Sequence, residues 1–299
     1  MKQDFCLFEP GTLWTTLLER TVHAQQCGAI HSISTTPEAI RDGGITFQVR
    51  VLKTLAMKTL AAASQKDVNP FLPYDPDLFV AEVSKTHIAL LNKFNVVQHH
   101  LLIVTRAFES QEALLTQKDC EALLFCLAEI DGIAFYNAGT SAGASQPHKH
   151  LQLIPFSGLT NNELPIEPLL QSVKMSGHTG VVPSLPFLHA YAPMDSAWLN
   201  PGIESARSLL VCYHSLLRAV GLPIVLKTEG SASSPPYNLL VTREWLLLVP
   251  RSQEFFEGIS INALGFAGAF LVRDTTQLEL LKKHGPMTAL QRVAMLRES

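Results

Sequence analysis

A mixed α and β fold is predicted by three features of this 299-residue chain. Apolar residues recur with a helical period in three separated stretches. Short β-branched and aliphatic runs bounded by turn residues lie between those stretches. No low-complexity tract or short-period repeat interrupts the pattern. Hydrophobic residues make up 47% of the chain, charged residues 16%, and the formal net charge is -3. That balance describes a globular protein with a sizeable core and excludes a disordered or nucleic-acid-coating chain. Five scattered cysteines without a C-x-x-C pair read as reduced thiols in core positions. No apolar run is long enough for a signal peptide or a membrane span, so a cytoplasmic location and no membrane partner are expected.

The elements follow in order. Thr12 to Cys27 places Leu13, Leu17, Leu18 and Val22 on one side of an opening helix. A mixed segment around Gly43-Gly44 leads to Phe47–Ala63, where apolar residues alternate with Arg50, Lys53 and Lys58. Asn69 to Pro76 is a loop, because three prolines exclude both a helix and a central strand. The run His99 to Thr105 reads as a buried strand. Gln111 to Ile130, free of glycine and proline, reads as a long helix. Ile133 to Asn137 is a strand delivering the chain to Gly139 and Gly143. Residues 159–200, with five prolines, form an irregular connector between an N-terminal half, 1–158, and a C-terminal half, 201–299, the whole packing as one compact unit. The second half contains a helix from Gly202 to Gly221, a hairpin of Tyr237–Val241 with Trp245–Val249, a glycine-punctuated stretch from Asn262 to Val272, and a helical tail.

The chemistry concentrates between Asn137 and Phe156. If the segment after Pro147 is extended, His148, His150, Gln152 and Ile154 point to one face while Lys149, Leu151 and Leu153 point to the other. Four readings compete for the row His148, His150, Gln152. Both histidines can be satisfied, partly buried side chains. They can be two metal ligands, although no cysteine or carboxylate lies nearby in sequence to complete the set. They can serve nucleophilic catalysis on a phosphate, where a neutral imidazole held in one tautomer attacks phosphorus. In that case backbone N–H groups from Gly139 to Gly143 form an anion cradle, Ser145, Gln146 and Gln152 add donors, and Lys93 offsets charge. A nucleotide sensor without chemistry would keep the cradle and have no use for paired histidines. His87, His99, His100, His189 and His214 read as structural, as do Phe71, Tyr74 and Trp245.

Asn137 and Gly139 followed by Ser145-Gln146-Pro147-His148-Lys149-His150-Leu151-Gln152 resembles the active-site strand of the histidine-triad superfamily, in its nucleotidyltransferase branch. Leu91–Val96, Tyr237–Trp245 and Gly265–Gly268 narrow the resemblance to the diadenosine tetraphosphate phosphorylases, or ATP adenylyltransferases. That family implies an α+β fold of two antiparallel half-sheets, one per half of the chain, with helices packed outside. It implies that His150 attacks the α-phosphorus, expels ATP and carries AMP, and that inorganic phosphate then releases ADP with ping-pong kinetics. It assigns His148 to holding the geometry or assisting protonation. Gln152 replaces the third histidine of hydrolase branches and favours transfer to phosphate over water, since an amide donates only a neutral hydrogen bond. By matching positions, Lys58, Asn92, Lys93, Asn137, Gly143, Ala144, Ser145, Gln146, Gln152, Asn262 and Gly265 contact the nucleotide or its phosphates, with Lys53 as an alternative to Lys58. The implied ligands are diadenosine tetraphosphate, ATP, ADP, AMP and phosphate. Magnesium accompanies the substrate phosphates, and no dedicated protein metal site or nucleic-acid partner is expected. A sugar-nucleotide uridylyltransferase is the nearest alternative, disfavoured because such enzymes commonly place proline where this chain has Lys149.

Overall fold

The structure, a computed structural model, describes residues 6–53, 69–159, 162–226 and 232–297. Its centre is a ten-stranded sheet in which every pairing is antiparallel. Two strands precede it in the chain, β1 (Thr35–Asp42) and β2 (Ile45–Leu52). The first half of the chain supplies β3 (Phe79–Glu82), β4 (His87–Leu91), β5 (Leu101–Thr105), β6 (Gly132–Ala138) and β7 (His150–Pro155). Next come β8 (Lys174–Ser176), β9 (Thr179–Val181), β10 (Ala190–Pro193), β11 (Tyr237–Val241) and β12 (Trp245–Pro250). The spatial order is β3-β4-β5-β7-β6-β11-β12-β10-β9-β8. The two half-sheets therefore meet edge to edge where β6 pairs with β11, with Asn137 opposite Asn238.

Side chains alternate across this sheet as a two-residue period requires. Leu151, Leu153, Tyr136, Leu239 and Leu248 enter one core, beneath α1 (Leu13–Gln26), α2 (Gln117–Glu129) and a later helix spanning Ile203–Ala219. Ile154, Phe135, Leu240 and Leu247 enter the other core. That second face is covered by a small sheet of β1, β2 and β13 (Ala269–Val272), in which β13 runs parallel to β2. With the short α3 (Glu167–Leu170), and with Ile203–Ala219 as α4, the chain closes through α5 (Ala263–Phe266), α6 (Thr275–His284) and α7 (Pro286–Val293). Among the described residues no helix is long and apolar enough to cross a membrane.

Three elements differ from the sequence reading, each for a local reason. The helix expected from Gln111 starts at Gln117, because Thr116 and Asp119 form a reciprocal capping box that fixes the first turn there. Residues 111–116 are thereby released to run past the site. The segment 159–200 is not wholly irregular, since it contributes β8, β9 and β10; its prolines flank or end these short strands rather than fall inside the ladder. The mixed segment around Gly43-Gly44 is the turn of the β1–β2 hairpin, where both glycines take positive φ.

Candidate active site

β7 delivers the histidine row to the face opposite α1, α2 and α4. His150 is nearly fully buried, and its Nδ1 lies 2.8 Å from the carbonyl oxygen of His148. A carbonyl can only accept, so Nδ1 carries the proton and Nε2 keeps the lone pair. Burial pushes the His150 pKa down to about 4, with the His148 carbonyl opposing and the His148 ring reinforcing the shift. The imidazole is therefore neutral at physiological pH. Nε2 has no hydrogen-bond partner among the described residues. His189 provides a control within the same molecule. Its Nδ1 is held in the same way by Phe187, but its Nε2 accepts the N–H of Val182 at 2.9 Å, so it has no free lone pair.

The backbone around His150 is held by a side chain that sequence reasoning missed. β6 and β7 pair as far as Phe135 and Gln152 and then diverge. Gln111 fills the gap: its Oε1 accepts the His150 N–H at 2.8 Å, while its Nε2 donates to Asn137 O at 2.9 Å and His150 O at 3.2 Å. Nothing local in the sequence marks this glutamine, because its partners lie 26 and 39 residues away.

His148 is completely buried and both of its nitrogens are engaged. Nε2 donates to Thr105 O at 2.8 Å, and Nδ1 accepts from Asn69 Nδ2 at 3.0 Å. Burial lowers its pKa as well, against the opposing hydrogen bond to Thr105. Phe71 packs against the rings of both histidines at centroid distances of 5.5 and 5.3 Å, which gives it a packing role. On the reverse face Lys149, also fully buried, reaches Asp119 at 2.7 Å, Glu109 at 3.3 Å and Leu114 O at 2.9 Å. His87 donates to the other Asp119 oxygen at 2.9 Å. Burial alone would raise the Asp119 pKa, but His87 and Lys149 together hold it well below the usual carboxylate range.

The glycine loop follows β6. Gly139 and Gly143 take φ of +86° and +84°, flanking a single turn over Thr140–Ala142. A Cβ on Gly143 would also stand 2.8 Å from Ile261 O, so glycine is required twice over. The expectation that N–H groups from Gly139 to Gly143 form the cradle is corrected in part. Ala142 N and Ala144 N donate to Gly139 O, and Gly143 N donates to Thr140 O. Among the described residues the N–H groups here without a backbone acceptor include those of Thr140 and Ser141 at the start of the turn and those of Ser145 and Gln146 on the approach to β7.

The remaining sequence candidates fall into two groups. Gln152 lies two residues beyond His150 on the same face, and Ala144, Ser145 and Gln146 lie on the approach to β7. Asn137 sits beneath the loop, almost wholly buried, and its Oδ1 accepts from Asn238 Nδ2 at 2.8 Å and Ala263 N at 3.0 Å. Asn262 caps α5 by accepting the Leu264 N–H at 3.0 Å. Gly265 is buried, and a Cβ there would meet Ile261 Cγ2 at 2.7 Å, which is a packing reason for glycine. Lys93 is half exposed and 3.6 Å from Asp75. Lys53 is exposed at the end of β2. Lys58 lies outside the described residues.

Arg251 is a second residue that sequence reasoning missed. It is buried, bonded to Asn238 Oδ1 at 2.5 Å and to Ala142 O at 3.3 Å, and it also donates to Ile261 O at 2.8 Å and Val293 O at 3.1 Å. Burial lowers its pKa to about 10, so it stays charged at neutral pH beneath the loop. For a metal, one group of suitably close side chains occurs among the described residues, His23, Cys27 and Asp77 on the α1 surface, and none of these belongs to the histidine row.

Fold and site together bring a neutral imidazole and a glycine-built loop to one end of β7. The comparisons resolve the family. The Ap4A phosphorylase N-terminal domain matches residues 3–172, and the ATP adenylyltransferase C-terminal domain matches residues 183–296. Diadenosine 5',5'''-P1,P4-tetraphosphate phosphorylase 2 of Saccharomyces cerevisiae is 30% identical over 88% of each chain. Protein APA1 of the same yeast is 31% identical over 64% of this chain and 63% of its own. The crystal structure of yeast Ap4A phosphorylase Apa2 superposes with a TM-score of 0.79 at 24% identity, covering 98% of this chain and 97% of the other. The same enzyme in complex with Ap4A gives 0.78 at 23% identity, covering 98% and 100%. The chain belongs to the Ap4A phosphorylase family and is a nucleotidyltransferase.

Proposed function

We propose that this enzyme cleaves diadenosine tetraphosphate by phosphorolysis, through an adenylyl group carried on His150. The observation that carries the reading is the His150 tautomer: Nδ1–H donates to its own chain at His148 O, so the lone pair on Nε2 is the free one. In the first step Nε2 forms a bond to the α-phosphorus, the P–O bond to the remaining triphosphate breaks, and ATP leaves with that electron pair. The ring becomes cationic, and the Nδ1–H···O bond to His148 strengthens as it does so. In the second step an oxygen of inorganic phosphate attacks the same phosphorus, the N–P bond breaks, and ADP leaves.

His148 serves by position, since both ring nitrogens are engaged by protein groups and its carbonyl fixes the nucleophile. Gln152 offers a neutral donor, sufficient for a polyphosphate leaving group of low basicity. Phosphate oxygens take the Ser145 and Gln146 N–H groups, with the Arg251 charge beneath the loop adding favourable potential. Magnesium enters with the substrate phosphates, and yeast Apa2 crystallised with Ap4A and with AMP shows that a related fold accommodates such nucleotides.

The test is a partial reaction. Incubated with ADP and labelled phosphate alone, the enzyme exchanges label into the terminal phosphate of ADP, because the adenylyl-enzyme forms from ADP without a second nucleotide. Exchange that requires ATP to be present contradicts the two-step route.

A further inference from the structure

A third histidine stands beside the row with its proton fixed as firmly as that of His150. His100, buried just before β5, lies 3.0 Å through Nε2 from Gln152 Oε1 and 3.1 Å through Nδ1 from Asn92 Nδ2. The direction of this chain is set at its far end. The backbone N–H of Phe94, which can only donate, bonds to Asn92 Oδ1 at 3.2 Å. The Asn92 amide must then turn its NH2 toward His100, whose Nδ1 accepts. A neutral ring that accepts at Nδ1 carries its proton on Nε2, and that proton goes to Gln152 Oε1. The Gln152 NH2 group is left facing away from His100, on the strand face shared with His150.

The molecule uses the device twice. Phe71 N–H donates to Asn69 Oδ1 at 2.9 Å, Asn69 Nδ2 donates to His148 Nδ1 at 3.0 Å, and His148 Nε2 donates to Thr105 O at 2.8 Å. Two Asn-x-Phe segments, Asn69-Pro70-Phe71 and Asn92-Lys93-Phe94, each impose one tautomer on one histidine. In the first case the recipient is a backbone carbonyl. In the second it is a side-chain amide that could otherwise present either end to the substrate.

We infer that His100 is a positioning residue that orients the Gln152 amide, so that N–H donors and not the carbonyl oxygen meet the transferring phosphoryl group. The inference rests on the adenylyl-transfer reading given above. A flipped amide would direct its oxygen at phosphate oxygens, opposing the charge it should stabilise. Asn92, matched by resemblance to a nucleotide contact, acts in this account through His100.

Two measurements on the full-length protein test this. Long-range 1H–15N correlation of histidine-labelled enzyme at neutral pH should give the Nε2–H tautomer at His100 and the Nδ1–H tautomer at His150. Single-turnover adenylyl transfer should fall about tenfold or more in both His100→Phe and Gln152→Ala, given that one lost donor at a developing charge costs roughly 10²–10³ in rate. The double variant should be no slower than Gln152→Ala alone. If His100→Phe fails to fold, Asn92→Leu keeps the ring and should mix the His100 tautomers while slowing the same step. An Nδ1–H tautomer at His100 in an enzyme that turns over normally overturns the positioning role alone, as do losses that multiply in the double variant. Wild-type enzyme that transfers no adenylyl group overturns the functional reading and the positioning role together.

Discussion

His150, the proposed nucleophile, is held in one tautomer by a local contact, the bond from Nδ1 to the carbonyl two residues back. Because its pKa is lowered to about 4, the proposed mechanism loses its nucleophile only when the ring protonates near that value. The first-step rate should therefore stay flat as pH falls through 6.5 and drop on approach to pH 4; a stopped-flow pH profile with an acid limb near 6.5 would contradict the assignment. Gln111→Leu removes an acceptor from the buried His150 N–H, and an unsatisfied buried group costs about 1–3 kcal/mol. Denaturant titration should register that loss beside a lower rate, whereas an unchanged midpoint would show that Gln111 is dispensable. The alternation of His148, Lys149 and His150 was legible because a strand has a two-residue period. The parts played by Gln111 and Arg251, and the one inferred for His100, were not, since each depends on a partner brought from a distant element: His150 for Gln111, Ala142 for Arg251 and Gln152 for His100.

At the scale of elements, the glycine loop is the joint between β6 and β7 and also the contact with the C-terminal half. Gly143→Ala places a Cβ 2.8 Å from Ile261 O at a backbone φ of +84°. Strain of this kind costs of the order of 1–3 kcal/mol. The variant should lose stability by about that amount and bind nucleotide more weakly in calorimetric titration; wild-type affinity would separate the loop from the binding site. The hairpin of β11 and β12 and the helices α1 and α4 could be read from the chain within a few residues, because long periodic segments declare their type. The start of α2 shifted because a capping box outweighs apolar periodicity at a terminus. The strands β8 to β10 escaped notice, being three or four residues each and flanked by prolines, too short for any period to show.

For the molecule as a whole, the two halves share one sheet through β6 and β11, and Arg251 and Asn238 tie the second half to the loop of the first. A mixed α and β class followed from the residues, and the α+β arrangement of two half-sheets from the family resemblance; the edge-to-edge join did not, because strand order depends on contacts between segments about a hundred residues apart. Global stability should respond to acid through His100, His150 and His189, each buried and lowered to about 4. Their folded-state pKa lies below the unfolded value near 6.5, so their stabilisation is fully present above that pH and is lost as pH falls toward 4. Each contributes a slope of about 1.4 kcal/mol per pH unit within the window. Equilibrium unfolding measured between pH 7 and pH 4 should steepen accordingly, and a flat profile there would show that these rings protonate in the fold.

The central claim, that His150 carries the adenylyl group, is tested most directly by intact-mass measurement. Full-length enzyme incubated with diadenosine tetraphosphate in the absence of phosphate should gain the mass of one adenylyl group and release ATP. Added phosphate should remove the adduct as ADP, and His150→Ala should show no adduct. Persistence of the adduct in His150→Ala, or its absence from wild-type enzyme that is turning over substrate, would contradict the account.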